Sequence, residues 1–251
     1  MKNAAGKYMY CVIRNPEFFG LGFAGVGGGK IHLVTFRKLA VVVSDSTLQD
    51  YPITRENTVT HQQVIEGVMR EYSPVLPISF GTVAENGALI KEKILRAKQD
   101  ELLDALNEVA GKVELNLKAI WLDMPAIFQM VAAENPELSR LKKALAGKTV
   151  GRDEAIEIGK LVANGLAAKR EQIRDEILAM FEDIIVEHKD TQLLGEQMIF
   201  NLAVLIPENK QKSFDKIVRD LDEKYKEENA YFKYIGPTPP FNFVKVSLSL
   251  A

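Results

Sequence analysis

The chain has 251 residues, 47% of them hydrophobic and 26% charged, and a formal net charge of −2. That length allows two domains of ordinary size, and the composition is that of a globular protein rather than a disordered one. Neither half of the chain is basic and neither end carries a charged tail, so the charge pattern excludes a nucleic-acid footprint.

Residues 7–13 read as a first strand, aromatic and β-branched, ended by Asn15-Pro16. The single cysteine, Cys11, lies in this apolar run, where it reads as a small core residue rather than a nucleophile. Residues 18–29 are apolar yet too glycine-rich for stable secondary structure. They read as a flexible loop or, more sharply, as a contact loop offering Phe18, Phe19, Leu21 and Phe23 to a hydrophobic partner. Gly20-Leu21-Gly22-Phe23-Ala24-Gly25 has the GxGxxG spacing of a dinucleotide fingerprint. That mechanism needs a helix after the third glycine, and Gly27-Gly28-Gly29 would break it.

Strands follow at 31–36 and 39–43 across an Arg37-Lys38 turn. A helix capped by Asn57 or Thr58 then runs to Tyr72, with His61, Ile65, Val68 and Tyr72 on one face. His61 on that stripe reads as a core histidine with a hydrogen-bonded ring. Val75–Phe80 is a short strand, Asn86-Gly87 a turn, and 88–109 a helix closed by Gly111. Val113–Lys118 alternates, with Glu114, Asn116 and Lys118 on the wet face and Trp121 extending the dry one. The order of three strands, helix, strand, helix, strand predicts a ferredoxin-like sheet covered by two helices on one face, occupying residues 1–123.

The second domain, 124–251, begins with a helix announced by Asn135-Pro136 and closed by Gly147. An unbroken helical pattern over 152–189 would span roughly 55 Å. Residues 195–206 are apolar at both parities and predict a central strand, followed by a helix at 208–228. Gly236-Pro237-Thr238-Pro239-Pro240 cannot be helix, and predicts a stiff turn between strands 230–236 and 241–249. The fold class is α+β in two domains: a ferredoxin-like sheet with two helices, then long helices with a small antiparallel sheet.

His32, His61 and His188 fall in different elements without metal-ligand spacing, and acidic residues are spread along helices. The sequence therefore offers no catalytic, cofactor-binding or metal-binding residues. The N-terminus lacks the apolar core of a secretory signal, and the apolar runs 198–206 and 39–43 are too short to span a bilayer. A cytoplasmic protein that is not an enzyme is the expectation.

Three stretches resemble the gas vesicle protein F/L family. They are Thr60-His61-Gln62-Gln63-Val64-Ile65 leading to Val75-Leu76-Pro77-Ile78-Ser79-Phe80-Gly81-Thr82-Val83; Gly111–Lys118; and Tyr234-Ile235-Gly236-Pro237-Thr238-Pro239-Pro240-Phe241-Asn242-Phe243-Val244. The chain departs from the family pattern at Ser79, Thr238 and Phe241, where arginine, tryptophan and tyrosine are common. The resemblance implies a minor structural component or assembly factor of gas vesicles, located at the vesicle. It would bind the main, very hydrophobic shell protein and limit its aggregation during nucleation, alongside other gas vesicle accessory proteins, without cofactor, nucleic acid or membrane. Two surfaces fit that role: the loop carrying Phe18, Phe19, Leu21 and Phe23, and an aromatic edge of Tyr231, Tyr234, Phe241 and Phe243. The second domain is the expected carrier, and core packing is the competing reading of these aromatics. A ferredoxin-like small-molecule-sensing regulatory protein is the alternative function.

Overall fold

A computed structural model describes residues 6–47, 50–145, 150–226 and 229–247. The chain divides into two compact units, residues 1–114 with 236–251, and residues 115–235. The second unit is thus inserted into the first, and the last segment groups with the N-terminal residues. Both crossings fall inside strands, β6 and β9 below.

In the first unit, β1 (Gly6–Arg14), β2 (Ile31–Phe36) and β3 (Leu39–Ser46) pair antiparallel in the order β2-β3-β1. β4 (Val75–Pro77) and β5 (Val83–Ala84) complete the sheet on the free side of β1. α1 (Arg55–Tyr72) is capped by Thr54, whose Oγ1 accepts from Asn57 N at 3.2 Å, so the cap lies three residues earlier than the sequence expectation. Asn86, expected in a turn, caps a helix instead: its Oδ1 accepts from Leu89 N at 2.9 Å at the start of α2 (Gly87–Ile90). A π-helical stretch, Lys91–Arg96, and a break at Ala97-Lys98 separate α2 from α3 (Gln99–Val109).

The two helical layers lie on opposite faces of this sheet, not on one. Leu39, Val41 and Val43 of β3 pack with α2, the π-turn and α3, whereas Ala40 and Val42 pack with α1. The reason is chemical. β1 and β3 are apolar at both parities, and a sheet with two dry faces must be covered twice. A register shift between Met9 and Cys11 lets Tyr10 and Cys11 share the α1 face.

The second unit holds a four-stranded sheet in the order β7-β8-β6-β9. β6 is Lys112–Trp121, β7 Glu187–Asp190, β8 Met198–Pro207 and β9 Ala230–Thr238. β8 is central and buried along both faces, as its composition required. α4 (Met124–Glu134) is capped by Asp123 and α5 (Pro136–Leu145) by Asn135, whose Oδ1 accepts from Glu137 N and Leu138 N. The expected stop at Gly147 lies outside the described residues. α6 (Arg152–Ala179) is a helix of about 42 Å. It ends ten residues before the expected limit, and 187–190 is strand. Gly165 is not a kink: its missing Cβ lets α6 approach α4, where that atom would stand 2.4 Å from Val131 Cγ1.

α7 (Gln211–Lys224) packs Phe214 between Phe181 and Tyr234, with ring centroids 4.6 and 5.3 Å away. The expected second strand over 241–249 does not form among the described residues. Residues 241–243 turn instead, and Val244 and Val246 pack into the α3 side of the first unit. β9 runs on through Gly236-Pro237-Thr238, where a turn was expected, with Gly236 at a φ of 141°.

Candidate functional site

The glycine-rich loop is pinned at several points to the α1 face of the first unit. Tyr72 receives Phe19 against its ring at 5.0 Å, and its Oη accepts from Gly20 N at 3.1 Å. Tyr10 Oη accepts from Val26 N at 2.7 Å and shares a 2.8 Å hydrogen bond with Ser44 Oγ. At Gly25 a Cβ would stand 2.2 Å from Tyr10 Oη, so only glycine passes there. Residues 26–28 form one 3₁₀ turn before β2 starts, so no helix opens on Gly25 and the dinucleotide geometry is missing.

Gly67 has a matching role on α1. Its bare surface seats the Phe23 ring, since an added Cβ would lie 2.9 Å from Phe23 Cζ. Side chains therefore divide along the loop. Phe19 and Leu21 are half-buried anchors packed against the core, while Phe18 is 85% exposed and Phe23, with one face on the helix, 42% exposed. The loop, read as either flexible or a contact surface, is tied to Tyr10 and Tyr72 by hydrogen bonds, with Phe18 and Phe23 exposed.

Beneath it runs a buried polar chain whose hydrogens can be placed. Ile78 O can only accept, so His61 donates from Nε2–H across 3.1 Å. Nδ1 then accepts from Tyr8 O–H at 3.0 Å, and Tyr8 Oη accepts from Gly81 N at 2.9 Å. Burial pushes the His61 pKa down to about 4, so the ring is neutral near pH 7. Burial also raises the phenols of Tyr8 and Tyr10 and the thiol of Cys11. His61, Tyr8 and Tyr10 are hydrogen-bonded core groups, and the His61 bonds to Tyr8 and to Ile78 O tie α1 to the sheet side of the core.

The C-terminal aromatics separate between the units. On β9, Tyr231 is 41% exposed, whereas Tyr234 donates to Asp215 Oδ1 at 3.3 Å and packs edge-on against Phe214. The backbone of β9 is partly closed as well: Ala230 N donates to Tyr225 O, and Phe232 N donates to Asp222 Oδ1 at 3.1 Å. In the first unit, Phe241 is 38% exposed, whereas Phe243 is 3% exposed and packed in the core. Glu114, expected on a wet face, is 2% exposed, and its carboxylate accepts from Asn242 N at 2.9 Å and Asn242 Nδ2 at 2.7 Å.

Grooves also occur among the described residues of the second unit. One, of ≈ 380 Å³, is lined by Ala167, Arg170, Arg174, Asp190, Ile199 and Phe200. Its arginines are already engaged, Arg170 with Met198 O and Glu196 O, and Arg174 with Asp175 and Asp190. Another, of ≈ 330 Å³, lies between α4 and α6 over Val131 and Gly165. No helix among the described residues is long and apolar enough to cross a membrane.

The description "gas vesicle synthesis protein GvpL/GvpF" belongs to the family model that matches residues 6–245. The chain is 24% identical over 249 residues to gas vesicle protein F of Nostoc sp., covering 97% of this chain and 100% of that relative. It is 25% identical over 244 residues to gas vesicle protein F1 of Halobacterium salinarum, covering 96% and 93%. The crystal structure of the gas vesicle protein GvpF from Anabaena sp. superimposes with a TM-score of 0.86 at 24% identity, covering 97% of this chain and 99% of that one. The GvpF structure from Microcystis aeruginosa gives 0.79 at 24% identity, covering 96% and 99%. Those two structures share this α+β fold. With the family model matched from the first strand to the C-terminal segment, the chain belongs to the gas vesicle synthesis protein GvpL/GvpF family and has a gas-vesicle-associated role.

Proposed function

We propose that the chain is a minor structural component or assembly factor that binds the hydrophobic gas vesicle shell protein and limits its aggregation while the wall nucleates. The observation that carries this reading is the division of the loop into buried anchors, Phe19 and Leu21, and displayed rings, Phe18 and Phe23. Two phenylalanines held in water by a backbone fixed at Tyr10, Tyr72 and Gly67 lose little entropy on contact, which favours an apolar partner. A shell subunit that presents apolar surface to gas is prone to aggregate before assembly, and a soluble neighbour that covers that surface delays it. Tyr231 and Phe241 also reach solvent and are secondary contacts in this reading. Tyr234 and Phe243 serve packing.

The test is light scattering of freshly diluted shell protein with and without the chain, paired with co-purification. Phe18→Ser with Phe23→Ser should abolish the delay and weaken capture at least about tenfold, the worth of one to two buried aromatic side chains. Equal protection by the double variant would refute the loop. If the parent chain captures no shell protein while a small metabolite raises its melting temperature, the sensing alternative replaces this function.

A further inference from the structure

The helical segment after Asn86 is wound as a π-helix over Lys91–Arg96, with Ala97 N donating to Glu92 O, five residues back, at 3.3 Å. In an α-helix, residues five apart point about 140° away from each other. The wider π-turn closes most of that angle. Lys91 and Arg96 consequently reach the same ring, Phe36 of β2, with Lys91 Nζ 5.9 Å and Arg96 Cζ 5.3 Å from its centroid. Arg37 supplies a third cation at 5.3 Å, from a turn position with φ 51°. Arg14 pairs with Leu39 at this same end of the sheet, and Lys38 precedes it.

Gathering like charges on one ring is unfavourable unless something negative meets them. Glu92 does so for Arg96, at 2.7 Å. Arg37 donates to the neutral Gln99 Oε1, and Arg14 to the neutral Asn107 Oδ1. Among the described residues no carboxylate lies within 4.0 Å of Arg37 or Lys91. All five cationic side chains are exposed, and Phe36, half-buried against the α3-side core, forms an apolar floor beneath Arg37, Lys91 and Arg96.

We propose that this corner is a docking site for an acidic segment of a protein partner. Guanidinium groups held over an aromatic ring match planar carboxylates, and the ring takes an aliphatic stem between them. These cations are confined to one corner of a chain whose net charge is −2, which favours a short acidic peptide over a nucleic-acid footprint. Phe36 packs on the α3 face of the sheet and the Phe18–Phe23 loop on the α1 face, so both can be occupied together. The proposal is independent of the shell-protein reading: one surface recognises charge, the other grease.

The experiment is fluorescence anisotropy of a labelled octaglutamate peptide with the full chain, as salt is raised from about 50 to about 300 mM. Saturable binding that weakens with salt is expected. Arg37→Glu with Lys91→Glu should weaken it at least tenfold, and Phe36→Leu, which keeps aliphatic packing but removes the ring, about threefold. Lys212→Glu, on α7, should bind like the parent, with circular dichroism confirming the fold of each variant. The proposal is overturned if the parent does not bind, if the double variant or Phe36→Leu binds equally well, or if Lys212→Glu loses as much as the double variant. Tighter binding of an eight-residue oligothymidylate would overturn it in favour of nucleic acid.

Discussion

Replacing His61 with leucine should change how stability responds to acid more than it changes the fold. In the folded chain His61 titrates near 4, against an ordinary value of 6.5, because burial penalises the charged ring. Between those values the unfolded chain binds the proton and the folded chain does not, so stability falls as pH falls. The fall begins near 6.5 and is nearly complete at 4. Each unit of difference is about 1.4 kcal/mol, so the total loss from this one ring is about 3 kcal/mol. His61→Leu has a separate cost at neutral pH. It strips Ile78 O of its donor and Tyr8 O–H of its acceptor, roughly 1–3 kcal/mol for each buried group left unpaired. Urea unfolding of parent and variant at half-unit steps from pH 7.5 to 4 separates the two effects. The variant should start lower and descend less steeply, with the two curves converging by about 3 kcal/mol at the acid end. Parallel curves would refute the buried, neutral histidine.

Two further outcomes follow from pairings in each unit. Asn242→Ala removes one charge-assisted hydrogen bond from the buried Glu114 carboxylate and should cost about 1.5–3 kcal/mol, read as a lower urea midpoint at unchanged slope. Arg170→Ala removes a guanidinium 5.4 Å from the Trp121 ring that also holds Met198 O and Glu196 O. It should cost about 2 kcal/mol and shift the emission of Trp121, the chain's single tryptophan, while Phe18→Ser leaves that emission unmoved.

Much of this architecture was legible because local chemistry and tertiary need agreed. Ile31–Phe36 forms a strand over the expected residues, Asn135-Pro136 opens a helix, and His61 sits on a stripe that does face the core. Other positions misled for identifiable reasons. Met180–Ile184 contains neither glycine nor proline, so its apolar spacing read as more helix. It is a chain of tight turns, with Ile184 N donating to Phe181 O, which keeps the three-residue spacing of a helix while ending it. Glu114 looked wet because it is charged, and the amide that donates hydrogen bonds to it lies 128 residues away at Asn242. The triple-proline stretch was read as a hairpin because aromatics follow it at alternate positions. Residues 241–243 turn instead, and Phe243 and Val246 are buried without a second strand forming among the described residues. On the loop, composition marked Phe18, Phe19, Leu21 and Phe23 alike, without separating the exposed Phe18 and Phe23 from the other two. The one local hint of that division was an unexplained glycine, Gly67, in mid-helix.

Because the chain leaves the first unit at Glu114 and re-enters it at Gly236, that unit is translated in two instalments. A ribosome adding roughly 5–20 residues per second needs about 6 to 24 seconds to make the intervening residues. Throughout that interval Leu102, Leu106 and their neighbours await Val244 and Val246, and Glu114 awaits Asn242. The nascent chain therefore passes through a stage in which an apolar face stands open and the Glu114 carboxylate lacks its two Asn242 donors. Truncation before Asn242 would make that stage permanent.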